Sequence, residues 1–360
     1  MSAAPARPTL LVAALLAAAV LVGLLPAGPV HAAPGAAGPE GGASSLRDQL
    51  DAAARGYNDA AARLETSKTR QGQLNEQMRV TESQLAQLNA AVAELAATAY
   101  KGGRADSLLA LMDSETPDGL LQRATALETR ARMEDAQLRR LADAKAAQQR
   151  QQAALAAEIT VQQAQLAEMD ARKKAAEKAL AASGGGASTT GPVGTPAVPG
   201  QPAGAATTTP APATGAASAT AVPRRADGSL APESCSVDDP TTSGCLTPRT
   251  LHALQQAKAA GFTHFVSCYR PQEDGGEHPR GRACDFAAAT GGFGGVATGA
   301  ERDYGNRLAA WFIANAKALG VLYVIWFKQI WMPSTGWRAY NNGNGDPASD
   351  HTNHVHLSVQ

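Results

Sequence analysis

Aromatic residues make up only 4% of this 360-residue chain, and all four tryptophans lie after position 310. Net charge is missing as well: Lys plus Arg and Asp plus Glu number 32 each. A balanced chain projects no field toward nucleic acid or toward an acidic partner, so neither is expected. Cysteine is scarce, with four residues, all between positions 235 and 284 and none in a Cys-x-x-Cys pair. That spacing argues against a thiolate zinc site. An even number of cysteines in one stretch of an exported chain reads instead as disulfides. The favoured pairing is Cys235–Cys245, which closes a short loop, and Cys268–Cys284, which joins two expected neighbouring strands. Only one long apolar run is present, from Leu10 to Leu25, and no cysteine follows it as a lipid anchor would need.

That run follows a basic start with Arg7 and precedes small residues around Ala32, which is the pattern of a secretory signal peptide over 1–32. The mature protein is then secreted, extracellular or associated with the cell wall. An uncleaved anchor is the alternative, because the run is near the lower length limit for a span.

From residue 44 to 182 apolar side chains step by threes and fours. Leu74, Met78, Leu85, Leu88, Val92 and Leu95 form one series, and Leu127, Leu138, Leu141, Leu155, Ile159 and Leu166 another. This is heptad spacing with Gln, Glu and Arg between. The break is expected at Tyr100-Lys101-Gly102-Gly103, so the two series fold as an antiparallel coiled-coil hairpin with arms of about 80–90 Å. The seam holds no grouped titratable side chains, so no chemistry is assigned to it.

Residues 184–230 are Gly, Pro, Ala, Thr and Ser with almost no large apolar side chain, which predicts a disordered or semi-extended linker. Residues 231–360 suffice for one compact domain. There Thr247-Pro248 starts a helix that Gly261 ends, a second helix spans 301–319 up to Gly320, and β-prone runs cover 262–269, 278–286, 321–332 and 355–359. The expected class is an α+β domain with a small, mainly antiparallel sheet.

Histidine is also sparse, with seven residues, yet three stand within Asp350-His351-Thr352-Asn353-His354-Val355-His356. Upstream, His278 and Asp285 stand seven apart. With one imidazole from the closing strand they give a metal two His and one Asp, leaving a fourth position for water as catalytic zinc does. Strand alternation puts His354 and His356 on one face.

The segments S-C-Y-R (267–270), E-H-P-R-G-R-A-C-D-F (277–286) and D-H-T-N-H-V-H-L-S (350–358) resemble, in order and spacing, motifs of the lysostaphin, D-Ala-D-Ala carboxypeptidase and hedgehog zinc superfamily. The likeness covers roughly residues 245–360. It implies that one zinc ion per domain is held by His278, Asp285 and His356, with His354 beside the metal water as proton acceptor and His351 the lesser candidate. It implies that Arg270 holds a substrate carboxylate or carbonyl. Asp350 would orient a histidine. Where the carboxypeptidase branch carries an acidic base this chain has Asn353, and its His-rich ending resembles the murein endopeptidase branch. The hairpin, with A-T-A-Y-K-G-G at 97–103, resembles coiled-coil regions of secreted cell-wall hydrolases, which implies restraint of the catalytic domain or docking on a membrane-bound division or wall-remodelling complex. The reading is a secreted zinc peptidase acting on peptidoglycan peptides. Its rivals are a zinc-stabilised wall-binding module without catalysis and a coiled-coil scaffold.

Overall fold

The computed structural model describes residues 44–113, 116–192, 217–273 and 275–360. The expected signal segment and the central linker, 193–216, lie outside the described residues.

Two long helices, α1 (Ser44–Met112) and α2 (Pro117–Ala182), pack against each other as a hairpin. With 69 and 66 residues they reach about 100 Å, longer than the heptads suggested. The reason is that α1 runs through Gly102 and Gly103 instead of breaking there. A helix-interior glycine costs only about 1 kcal/mol relative to alanine, too little to stop a helix supported on both sides. The chain turns where Thr116 caps α2, its side chain accepting the Gly119 N–H at 3.2 Å, and Pro117 fills the first turn.

In the C-terminal domain a two-stranded ribbon, β1 (Val237–Asp238) and β2 (Cys245–Leu246), is closed by the Cys235–Cys245 disulfide. Helix α3 (Pro248–Ala259) follows, capped by Thr247 as expected. Strands β3 (Val266–Ser267) and β4 (Ala283–Ala287) are joined by Cys268–Cys284. The expected second helix is interrupted: α4 (Gly299–Ala314) stops at Asn315 before a short α5 (Ala316–Leu319). The Asn315 side chain donates to Trp311 O at 2.8 Å and accepts the Ala219 N–H at 2.8 Å, which diverts the backbone from the helical ladder.

The long β-prone run 321–332 folds back on itself as β5 (Val321–Trp326) and β6 (Gln329–Met332), and β7 (Gly336–Ala339) and β8 (His354–Val359) complete the sheet. The strand order is β3-β4-β8-β5-β6-β7, antiparallel throughout, so the closing strand lies in the middle. The β5–β6 turn puts Phe327 and Lys328 at φ 51° and 56°, left-handed positions usually given to Gly or Asn. Hydrogen bonds from Phe327 N–H to His351 O (2.9 Å) and from Lys328 N–H to Asp350 O (3.1 Å) hold them there.

Alternation divides the sheet. Val324, Trp326, Val355, Leu357, Val359, Cys284 and Phe286 face the main core with α3 and α4. On the opposite face Leu322, Tyr323, Ile325 and Tyr340 form a second cluster with Leu46, Leu50, Ala53 and Ala54 of α1 and Ala176, Ala179 and Leu180 of α2. The open end of the hairpin therefore sits on this sheet face. Polar contacts surround it: Arg280–Asp48 at 2.9 Å, Arg55–Glu277 at 3.7 Å and Asn58 Nδ2 to Val321 O at 2.9 Å. The described ends of the linker also lie against other parts of the chain. Ser188 bridges to Arg338 on β7, and Val222 and Leu230 are buried.

Candidate metal centre

The register of the central strands builds the site. Asp285 on β4 stands directly opposite His356 on β8, and Ala287 opposite His354. Alternation then points Asp285, His354, His356 and Ser358 to the face beneath the hairpin. His278 comes from the loop before β4, whose turn at Gly281 (φ 67°) leaves no room for a side chain: a Cβ there would meet Cys235 Sγ at 2.4 Å.

His278, Asp285 and His356 converge with one ligand-type atom each, all within 4.8 Å of one another. His278 Nε2 is 3.2 Å from Asp285 Oδ2, and His356 Nδ1 is 2.9 Å from Asp285 Oδ1. The partners on the far side of each ring suit a metal. Cys268 O can only accept, so His278 Nδ1 carries the hydrogen and Nε2 is left as the ligand atom. Ser358 Oγ lies 2.8 Å from His356 Nε2, leaving Nδ1 toward the centre. Two imidazoles and a carboxylate, two of them on adjacent strands and one from the loop before β4, could hold a metal ion.

His354 belongs to the same cluster. Its Nε2 is 3.4 Å from Asp285 Oδ1, and its Nδ1 is 2.7 Å from Asn353 Oδ1. His351 stands next to it, ring centroids 4.9 Å apart, in a left-handed conformation with φ 51°. Such a backbone costs a non-glycine residue about 1–2 kcal/mol, and here it is held by the turn bonds to Phe327 and Lys328. Arg270 Nη1 approaches Asp285 Oδ2 at 3.6 Å. Asp350 does not meet an imidazole as expected. It pairs with Lys328 Nζ at 2.7 Å and accepts from Gly345 N–H at 3.4 Å, because the tight β5–β6 turn brings Lys328 over it.

Burial by itself would raise the Asp285 carboxyl, but the imidazoles of His278 and His354 hold it well below the ordinary carboxylate value. Burial, followed by the nearby His354 and His356, pushes His351 far down, so it is neutral. Glu277 is pushed up to about 7 by burial and by Asp51 of α1, against the pull of Arg282 and Arg55.

His278, Asp285, His351, His354 and His356 are each 2% exposed or less. Tyr323, part of the cluster under the hairpin, stacks on His356 with centroids 5.6 Å apart.

Several partners escaped sequence reasoning. Asn353 stood out only as a departure, yet its amide oxygen orients His354. Ser358 was open to discovery, since it shares the alternation of His354 and His356. Neither the Cys268 carbonyl nor Tyr323 carries any sequence signal. A family model described as VldE, C-terminal domain, matches residues 242–355, about a third of the chain. The matched stretch takes in His278, Asp285, His351 and His354 and stops one residue before His356. Searches among curated proteins and among solved structures gave no match.

Proposed function

We propose that this protein is an exported zinc-dependent peptidase that hydrolyses peptide stems or cross-links of bacterial peptidoglycan, with the hairpin as a regulatory or docking arm. The observation that carries the reading is the convergence of His278, Asp285 and His356 within 4.8 Å, with His354 Nε2 3.4 Å from the same carboxylate. Three ligands leave a fourth position open to water, where a closed structural ion would have a fourth protein ligand, and the adjacent imidazole of His354 can serve that water.

His278, Asp285 and His356 would hold the metal. Zinc bound there would supply Lewis acidity that brings the pKa of water to about 7. His354, fixed through Nδ1 by Asn353, presents Nε2 toward the centre and is the group placed to accept a proton and return it to the leaving amine. Neutral His351 beside it keeps the cleft free of a second positive charge. Arg270, whose Nη1 lies 3.6 Å from Asp285 Oδ2, would bind charge on a peptide carbonyl or carboxylate. Two disulfides fit an oxidising compartment. At the far end of the hairpin Tyr100, Leu109, Met112 and Leu121 are exposed, which supports a partner at the tip, such as a membrane-bound division or wall-remodelling complex.

One observation favours a non-catalytic, zinc-stabilised wall-binding module: the side chains of His278, Asp285, His351, His354 and His356 are all buried. Both readings meet one experiment. Zinc-loaded full-length protein, and the same protein opened by Leu50→Ala in α1, are incubated with purified muropeptides, with and without chelator, and products are identified by mass. Chelator-sensitive peptide cleavage by the opened form supports the peptidase. Wall binding with zinc bound and no cleavage from pH 5 to 9 establishes the binding module instead.

A further inference from the structure

The segment 290–297 passes beside His354. It is tied at both ends: Thr290 O accepts the Phe265 N–H at 3.0 Å, and Ala297 N–H donates to Thr352 O at 2.9 Å. In the middle Asn353 Nδ2 donates to Gly294 O at 2.8 Å, so the residue that orients His354 also holds this loop. Between the ties the sequence is Gly291-Gly292-Phe293-Gly294-Gly295. A Cβ at Gly291 or Gly295 would meet nothing within 4 Å, and one at Gly294 only Ala289 Cβ at 3.9 Å. Only Gly292, at φ 155°, has a conformation that disfavours a side chain. Three of the four glycines are therefore not demanded by packing or backbone angle in this arrangement. What they provide is freedom of the chain around Phe293.

Phe293 is half-buried, edge-on to Phe265 at 5.3 Å and to His354 at 5.4 Å between ring centroids. Among the described residues after 217, the large apolar side chains that stand exposed are Phe265, at 38%, and Val296, at 54%. Single exposed apolar residues need no explanation, but these two flank the phenyl ring that leans edge-on against His354. Both are accessible, unlike the buried histidines beside them.

We propose that Phe265, Phe293 and Val296 form an apolar subsite for the small aliphatic side chain of a peptide residue next to the scissile bond, with Phe293 moving on its glycines to close over it. The two rings stand edge to face with centroids 5.3 Å apart, an apolar surface that suits a small aliphatic group, as in alanine, better than a charged side chain. The proposal rests on the peptidase reading for the identity of its ligand as a peptide.

The test uses the zinc-loaded full-length protein with its six phenylalanines replaced by 3-fluorophenylalanine, the Phe293 signal being assigned from a Phe293→Leu variant. The probes are a synthetic stem peptide ending in D-Ala-D-Ala and its counterpart ending in D-Ser-D-Ser. The alanine peptide should shift the Phe293 and Phe265 signals, and the serine peptide should bind about 10-fold more weakly. Phe293→Ala should lose about 10-fold in affinity while Phe293→Leu keeps most of it. An unmoved Phe293 signal, or equal binding by Phe293→Ala, overturns the subsite. Cleavage of the alanine peptide by the Leu50→Ala form is scored separately. Binding at Phe293 without cleavage keeps the subsite and removes the peptidase reading. Cleavage with kcat and KM indifferent to Phe293→Ala does the reverse.

Discussion

Leu50→Ala tests whether the base of the hairpin closes the metal centre. Leu50 is 2% exposed in the cluster that joins α1 and α2 to Tyr323, Ile325 and Tyr340. Truncating a fully buried leucine costs about 2–5 kcal/mol, from lost burial and the cavity left behind. The exposed ion pair beside it contributes far less. Arg280–Asp48, with both side chains more than a third exposed, is worth about 0–1 kcal/mol. A loss of about 3 kcal/mol from the apolar cluster shifts docking by about 150-fold at 1.4 kcal/mol per tenfold. Diethylpyrocarbonate modification of metal-free protein, followed by peptide mass mapping, reads the result. In the native chain His252 and His264, both partly exposed, should react first, and His278, His351, His354 and His356 should be protected. Leu50→Ala should raise the reactivity of the four protected histidines by about 100-fold and leave His252 unchanged. Unchanged protection, with helix content retained, would refute the reasoning and place the barrier elsewhere.

Four further outcomes follow from the geometry. His278→Ala or Asp285→Ala should abolish zinc binding, measured by elemental analysis, and a native chain without metal after zinc loading would remove the site assignment. His354→Ala should keep zinc and, if the protein cleaves peptides, lose about 10²–10⁴-fold in turnover, the usual worth of a general acid–base. Ser358→Ala should weaken zinc affinity by about 10–100-fold, seen by competition with a chelating dye, since it frees the far nitrogen of His356. Asp239 accepts the Tyr269 N–H at 2.8 Å, and Thr241, which it also holds, accepts the Cys268 N–H at 3.0 Å. Burial would raise its carboxyl, but Thr242, Tyr269 and Thr241 hold it below the ordinary value. Its stabilisation is therefore present above the ordinary carboxylate range and lost as pH falls through the depressed one. Asp239→Asn should cost about 1–2 kcal/mol near pH 7 and little in strong acid. Thermal melts across pH check this, and a gap independent of pH contradicts it.

The parts of the site legible in the sequence are those that depend on short periods. His-Val-His on a strand puts both imidazoles on one face because successive side chains alternate. Thr247-Pro248 opens α3 because a capping hydroxyl and a proline satisfy the first turn locally. Both cysteine pairs form as favoured, since each closes over ten or sixteen residues between adjacent segments. Local signals misled where long-range support overrode them. Gly102-Gly103 reads as a break, but a second helix alongside carries α1 through to Met112. The run 321–332 reads as one strand, because Phe327-Lys328 has none of the residues that announce a tight turn. The left-handed angles there are held by carbonyls of His351 and Asp350, which lie more than twenty residues away.

The least legible feature is the seat of the hairpin on the sheet. Leu46, Leu50, Ala176 and Leu180 fit the same three-four spacing as residues along the rest of the hairpin. Periodicity says that such residues are buried but does not say against what. Their contact is a sheet face whose strands lie more than 100 residues further along, and that face is apolar only at Leu322, Tyr323, Ile325, Ile330, Met332 and Tyr340. It is polar where Asp285, His354, His356 and Ser358 point outward. A metal site built for peptide access would leave this polar strip to water. Here the aliphatic end of a coiled coil lies over the neighbouring apolar strip, with Tyr323 between it and His356. If the arm restricts access to the centre, these leucines set how often it lifts, and a change at Leu50 should be felt at histidines more than two hundred positions away.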